Sequence, residues 1–149
     1  ALNREPSLAA GRRSELLLHM ANALTGRYAD PAVNKAKVVV FVGHDTNIAN
    51  IGGMLVLHWQ LPGYAPDEIP PASALVLTLW LQNDVYQLRA RMIGQSLDTL
   101  HDPAMKGEVL RQDIEVPWCG PYEDGKNCTL TDFELRVRDV LRPECVRER

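Results

Sequence analysis

Apolar and polar positions along this chain follow two periods, and the changeovers mark where one kind of element gives way to another. Between residues 7 and 25, Leu17, Met20, Ala21 and Leu24 fall on one helical face, and Gly26 stands where such a helix ends. A polar stretch through Asp30-Pro31 leads into Lys37-Val38-Val39-Val40-Phe41-Val42. That run is apolar and β-branched without alternation, the pattern of a central parallel strand covered on both faces. Ile48, Ile51 and Leu55 return to helical spacing, so a helix begins at Asp45 or Thr46. After a Pro-rich loop from Pro62 to Ala72, Ala74–Leu81 and Val85–Ile93 predict a hairpin turning around Gln82-Asn83-Asp84. Residues 94–118 are less regular, with a short helix at Ser96–His101 and a strand at Val109–Glu115. Thr131-x-x-Glu134 has the form of a capping box opening a last helix, with Phe133, Val137, Val140 and Leu141 on its buried face. Together these elements predict an α/β protein.

The chemistry gathers at one changeover. A buried parallel strand ending in Gly43-His44-Asp45 and turning into a helix sets those side chains at the carboxyl edge of a sheet, where open α/β sheets bind ligands. The first helical turn adds free backbone N–H groups and the positive end of a dipole, which suit a phosphate. His44 can donate a hydrogen bond or a positive charge to a phosphate oxygen, and Asp45 is placed as an acid or base. Read without context, the dipeptide is equally well explained by Asp45 as a plain helix cap and His44 as an edge residue. His19 and His58 lie on helices and His101 in a loop before Asp102-Pro103, so all three read as structural or solvent-facing.

Composition changes this picture little. The 149 residues suffice for one domain core, and a net charge of −3 argues against general nucleic-acid binding. An anionic substrate therefore needs a local site. The longest apolar runs, Val38–Val42 and Ala74–Leu81, are far too short to cross a membrane as helices. Ala1-Leu2-Asn3-Arg4 opens into polar sequence without a signal-peptide pattern, as in a mature chain or a fragment. Cys119 and Cys128 bracket the turn-rich Gly-Pro-Tyr-Glu-Asp-Gly-Lys-Asn, which can bring the two sulfurs together. A bridge there would contribute roughly 2.5–3 kcal/mol in the chain-entropy model. Three reduced thiols fit the composition as well as a bridge plus the odd Cys145. The cysteines lack C-x-x-C spacing and a nearby histidine, so metal binding is not expected.

The surrounding residues carry a resemblance. The string Gly43-His44-Asp45-Thr46-Asn47-Ile48-Ala49-Asn50-Ile51-Gly52-Gly53 closely resembles the C-terminal motif of the histidine acid phosphatases, in particular their bacterial phytase branch. Trp59-x-Leu61-Pro62-Gly63, Ile69-Pro70-Pro71-Ala72-Ser73-Ala74-Leu75-Val76, the Cys119/Cys128 loop and Pro143-Glu144-Cys145 extend it over most of residues 38–145. Residues 1–37 match only in helical character. Ala72 stands where relatives often have Gly, and Leu77-Thr78-Leu79 where they often have Phe-Glu-Arg. The family's N-terminal Arg-His-Gly-x-Arg-x-Pro is absent, the nearest string being Gly11-Arg12-Arg13-Ser14.

The resemblance implies the C-terminal part of a mainly parallel α/β sheet domain of the histidine phosphatase type, spanning residues 1–149 and incomplete on its own. Residues 1–36 would be a helical lead-in, and 37–149 would hold the core strand, motif, hairpin and last helix. The implied enzyme hydrolyses phosphomonoesters at acid pH, in the periplasm or outside the cell, with phytate or a sugar phosphate as substrate. A histidine outside this chain attacks phosphorus to give a phosphohistidine. Asp45 protonates the leaving alkoxide, His44 binds phosphoryl oxygens, and Thr46 and Asn47 contact substrate. No metal or other cofactor is implied. The resemblance pairs Cys119 with Cys128 and sends Cys145 to a complementary N-terminal segment, the implied partner, while no nucleic-acid or membrane partner is expected. A glucose-1-phosphatase or other sugar-phosphate acid phosphatase, and a non-catalytic phosphate-binding fragment, remain alternatives. A metal-dependent His-Asp phosphohydrolase lacks further spaced ligands here, and a Ser-His-Asp hydrolase lacks a Gly-x-Ser-x-Gly elbow.

Overall fold

The computed structural model describes residues 2–102, 109–119 and 127–146. Its elements are α1 (Pro6–Leu24), α2 (Pro31–Lys35), α3 (Asp45–Met54), β1 (Ala74–Gln82), β2 (Val85–Gln95), α4 (Leu97–His101), β3 (Val109–Ile114), β4 (Asn127–Thr129) and α5 (Leu130–Val140), with 3-10 turns at Leu2–Arg4 and Pro143–Cys145. The chain packs as two units, one of Ala1–Leu55 with Leu130–Arg149 and one of Val56–Thr129.

The first unit is helical. Glu5 caps α1 by accepting the Leu8 N–H at 2.7 Å, and Pro6 supplies a first residue that needs no N–H partner. Within α1, Arg13 leaves helical geometry at φ −138° and ψ 19°. The cause lies one residue on: buried Ser14 donates Oγ to Ala10 O at 2.8 Å, and the same oxygen accepts the Arg142 N–H at 2.9 Å. Such back-bonding competes with the backbone ladder and bends helices. Helix α1 packs against α3 and α5, with Ala9, Leu17, Ile51, Met54 and Phe133 buried among them. Helix α3 also presses on the first 3-10 turn, where a Cβ on Gly53 would lie 2.4 Å from Arg4 O. Arg136 of α5 donates Nη2 to Met54 O at 2.6 Å, placing a cation at the negative end of α3. Burial pushes the Arg136 guanidinium below its usual pKa, an effect Asp139 partly offsets.

The second unit is built on antiparallel strands. Strand β1 pairs with β2 from Ala74↔Ile93 to Gln82↔Val85, leaving a two-residue turn. Asn83 and Asp84 take φ of 49° and 61° there, as a type I′ turn requires. On the other edge of β2, β3 pairs with Ala90–Gln95 and β4 with Gln87–Arg89. Burial alternates along β2, with Leu88, Ala90, Met92 and Gly94 facing inward. The loop before β1 covers that face: a Cβ on Gly94 would meet Leu61 Cδ1 at 2.8 Å, and Tyr64 Oη donates to Gln95 O at 2.9 Å.

The α/β class and most elements agree with the pattern of the sequence, and two expectations need correction. Residues 37–42 form no strand, and the described sheet is antiparallel instead of mainly parallel. The run is apolar enough for a sheet centre, yet it pairs with no strand among the described residues. Val38, Val40 and Val42 are 77%, 75% and 94% exposed. The second correction concerns α5, which starts at Leu130 directly after β4 and so takes Thr131 into the helix. Glu134 does not close a capping box; it forms an ion pair with Arg27. Phe133 and Val137 are buried as expected, with Val140 and Leu141 half-buried.

Candidate active site

The chain enters α3 from residues that have no regular structure, and three local contacts fix the turn. His44 occupies the N-cap in extended backbone, and its N–H donates to Asn47 Oδ1 at 2.9 Å. The Asn47 N–H returns to His44 O, also at 2.9 Å. The Asn47 side chain lies over Gly43, where a Cβ would approach Oδ1 to 2.9 Å. Any residue larger than glycine at 43 would push Asn47 off its cap bond.

Asp45 is the first residue of the helix. Its Oδ1 accepts the Thr46 N–H at 2.7 Å, so the carboxylate lies at the positive end of the ten-residue helix. Asn50, buried one turn on, donates Nδ2 to Thr46 O and steadies that turn from behind. Its Oδ1 has no hydrogen-bond partner among the described residues.

The four expected site residues thus share one helix start. His44 and Asp45 are exposed, while Thr46 and Asn47 are half-buried. This arrangement can offer an anion a histidine ring, a carboxyl group and a helix terminus within one turn. Asn47 has a role that the sequence reading missed: three residues after the cap, its amide closes the turn by accepting the His44 N–H. Asn50 gave no signal, because an asparagine inside a helix is ordinary until its burial is known.

Of the other histidines, His19 and His58 have local partners. His19 lies 4.0 Å from Glu15 and 5.5 Å from the Tyr28 ring, centre to centre. His58 lies beyond the end of α3 and not on a helix as expected; its Nδ1 meets Asp67 Oδ2 at 2.8 Å and ties down the loop before β1, and His101 ends α4 in solvent. Among the described residues no three His, Cys, Asp or Glu side chains converge as metal ligands. No described helix is long and apolar enough to cross a membrane. The cysteines are thiols in this structure, Cys128 buried and Cys119 and Cys145 half-buried. Residues 120–126, most of the loop expected to join Cys119 to Cys128, lie outside the described residues.

Residues 3–92 match the histidine phosphatase superfamily (branch 2). The chain is 31% identical to phytase AppA of Escherichia coli (strain K12), over 97% of its own length and 35% of that protein. It superposes on Hafnia alvei phytase in complex with tartrate with a TM-score of 0.86 at 32% identity, covering 99% of this chain and 38% of that one. For the phytase from Citrobacter braakii the TM-score is 0.82 at 27% identity, covering 98% and 39%. The chain therefore spans little more than a third of the length of these relatives, and across that third its fold is theirs. It belongs to the histidine phosphatase superfamily, branch 2.

Proposed function

We propose that this chain is the acid-donating, C-terminal part of a phosphomonoesterase that works at acid pH, with phytate as substrate. The observation that carries this reading is the exposed His44-Asp45 pair on the first turn of α3, in a chain of this family related to phytases. A histidine outside the chain attacks phosphorus, and the bond from phosphorus to the ester oxygen breaks. Protonated Asp45 gives its proton to that oxygen, which leaves as the alcohol. Water then attacks the phosphohistidine, releasing phosphate and regenerating the histidine. His44 holds the phosphoryl oxygens as their charge shifts, and Thr46 and Asn47 line the substrate beside it. The bare run at 38–42 supports a complementary N-terminal segment that supplies both the nucleophile and the neighbouring strands. Cys119 pairs with Cys128 and Cys145 with a cysteine of that segment, as suits a periplasmic or secreted enzyme.

Asp45→Asn in the complete enzyme tests the acid assignment. Turnover of an alkyl phosphate should fall about 10²–10⁴-fold, with a smaller loss on p-nitrophenyl phosphate, whose leaving group hardly needs a proton. Equal losses on both would refute the role of Asp45. A non-catalytic phosphate-binding fragment is the second reading, in which His44 and the start of α3 hold phosphate without chemistry. It predicts no phosphohistidine anywhere in the complete protein, whereas a phosphohistidine trapped at His44 itself would make that residue the nucleophile and not the phosphate holder. Peptide mapping without reduction checks the sulfurs, and a bridge from Cys145 to Cys119 or Cys128 would contradict the pairing.

A further inference from the structure

Two polar side chains are buried among the described residues, Ser14 and Asn50, and they are bonded differently. Ser14 is used in both senses: its Oγ donates to Ala10 O and accepts the Arg142 N–H. Asn50 is half used. It is 2% exposed in a stretch of α3 whose other residues, from Ala49 to Met54, are apolar and buried. Its Nδ2 donates to Thr46 O, while its Oδ1 has no hydrogen-bond partner among the described residues. A dry, unpaired acceptor costs stability, and an apolar side chain at this position would avoid that cost.

The helix does not need this side chain. In an α-helix the Thr46 carbonyl already accepts the Asn50 backbone N–H, so the amide adds a second donor to a ladder that is complete without it. Nor does Asn50 anchor α3 as a body. The far end of the helix is held by Arg136, whose Nη2 donates to Met54 O at 2.6 Å, and by the close approach of Gly53 to the backbone of Arg4. What the amide changes is Thr46.

Thr46 connects to both chemical residues. Its N–H donates to Asp45 Oδ1 at 2.7 Å. Its carbonyl belongs to the same peptide as the Asn47 N–H, which donates to His44 O at 2.9 Å. A second donor on that carbonyl polarises the peptide and strengthens the bond at its other end. One chain of hydrogen bonds therefore runs from the buried amide of Asn50 to the backbone of His44, and the Thr46 N–H carries the same constraint to the Asp45 carboxylate.

We infer that Asn50 is a positioning residue for the proposed reaction: from behind the first turn of α3 it fixes Thr46, and through Thr46 the direction of the Asp45 carboxyl and the backbone of His44. It touches neither the substrate nor the transferred proton, and its effect on turnover rests on the reading of Asp45 as the acid. Ser14 shows how the donor can be kept in another residue, since its hydroxyl reaches the carbonyl four residues back. Three variants then separate positioning from packing. Asn50→Ser keeps a donor, Asn50→Ala removes it, and Asn50→Leu removes it while filling the space.

In the complete enzyme, Asn50→Ala and Asn50→Leu should lower kcat on an alkyl phosphate about two- to tenfold, the weight of one neutral hydrogen bond. KM should change little, and the loss on p-nitrophenyl phosphate should be smaller. Asn50→Ser should recover most of the loss. Thermal stability should rank differently, with Asn50→Leu at or above wild type because no unpaired oxygen is left. If Asn50→Leu does not fold, Asn50→Ala and Asn50→Ser carry the comparison. In NMR spectra of the 149-residue chain, the Thr46 and Asn47 amide signals should shift in Asn50→Ala and stay near their wild-type positions in Asn50→Ser. Equal losses on both substrates in Asp45→Asn would refute the acid role, whereas amide shifts that follow the donor would still support Asn50 as the residue that fixes this turn. Turnover that follows thermal stability and not the donor, or amide signals unchanged by its removal, would overturn the proposal.

Discussion

The hairpin strands Ala74–Gln82 and Val85–Gln95 and the run Lys37–Val42 are made of the same kinds of residue, but only the hairpin forms a sheet. The hairpin finds its partner two residues away, across a turn whose positive φ values Asn and Asp tolerate better than most residues. Its inward face is then closed by Leu61 and Pro70 from the preceding loop. The run at 37–42 has no such neighbour among the described residues, and its valines stay in solvent. A parallel strand needs a partner reached by a long crossover, so its signal in sequence is only half of a contract with residues elsewhere. Strand propensity belongs to the segment; the strand itself belongs to the pair.

Core truncation gives the largest contrast between the two regions. Met92→Ala, in the buried face of β2, should cost about 2–5 kcal/mol in denaturant unfolding. Val40→Ala should change stability by no more than about 0.5 kcal/mol, because the side chain is already in water. Comparable losses would mean that residues 37–42 are packed in solution. Val40→Lys sharpens the same point: the chain alone should tolerate it, whereas reassembly with the complementary segment proposed above should fail.

The sequence was most legible where the determinants are local. The two segments Ala74–Leu81 and Val85–Ile93, the turn around Gln82-Asn83-Asp84, and helical spacing at Ile48, Ile51 and Leu55 each specify an element within a few residues, and each element is present. The start of α3 at Asp45 was legible for the same reason, since the change of period falls beside His44. What was not legible depends on distant contacts. The Thr131-x-x-Glu134 pattern was overridden by β4 leading straight into α5 and by Arg27 reaching Glu134. The bend at Arg13 depends on Ser14 and on Arg142, far along the chain. At the site, the residue types pointed to His44 and Asp45, but the closeness of the Asn47 amide to Gly43 emerges only in three dimensions.

Two residues at the margins of these elements lie in the left-handed region, with smaller consequences. Val56, just after α3, has φ 52°, and Ala72, before β1, has φ 55°. That conformation costs an L-residue about 1–2 kcal/mol, more for a β-branched side chain. Glycine removes this cost but adds about 0.4–1 kcal/mol of unfolded-state entropy. Val56→Gly and Ala72→Gly should each stabilise the chain by up to about 1 kcal/mol in equilibrium unfolding. A loss on Ala72→Gly would show that its methyl group has a packing role.

The smallest effect bears on how the helical unit behaves at the acid pH proposed for the enzyme. Glu5 caps α1, and its carboxyl is held below the usual pKa of 4.5 chiefly by the Ser7 hydroxyl at 2.5 Å, with the Leu8 N–H adding to it. Folding therefore favours the carboxylate over the acid. The stability this cap contributes is fully present above pH 4.5 and is lost as pH falls through the lower folded-state value. The group is exposed, so solvent keeps the change small. Glu5→Gln should match wild-type thermal stability at the acid end and fall slightly below it near neutral pH. The hairpin strands do not include this cap, so hydrogen exchange at Leu88 and Met92 should not follow the same titration, whereas amides in the first turn of α1 should. An acid-induced loss of protection that is equal in both regions and unchanged by Glu5→Gln would place the pH-sensitive group elsewhere.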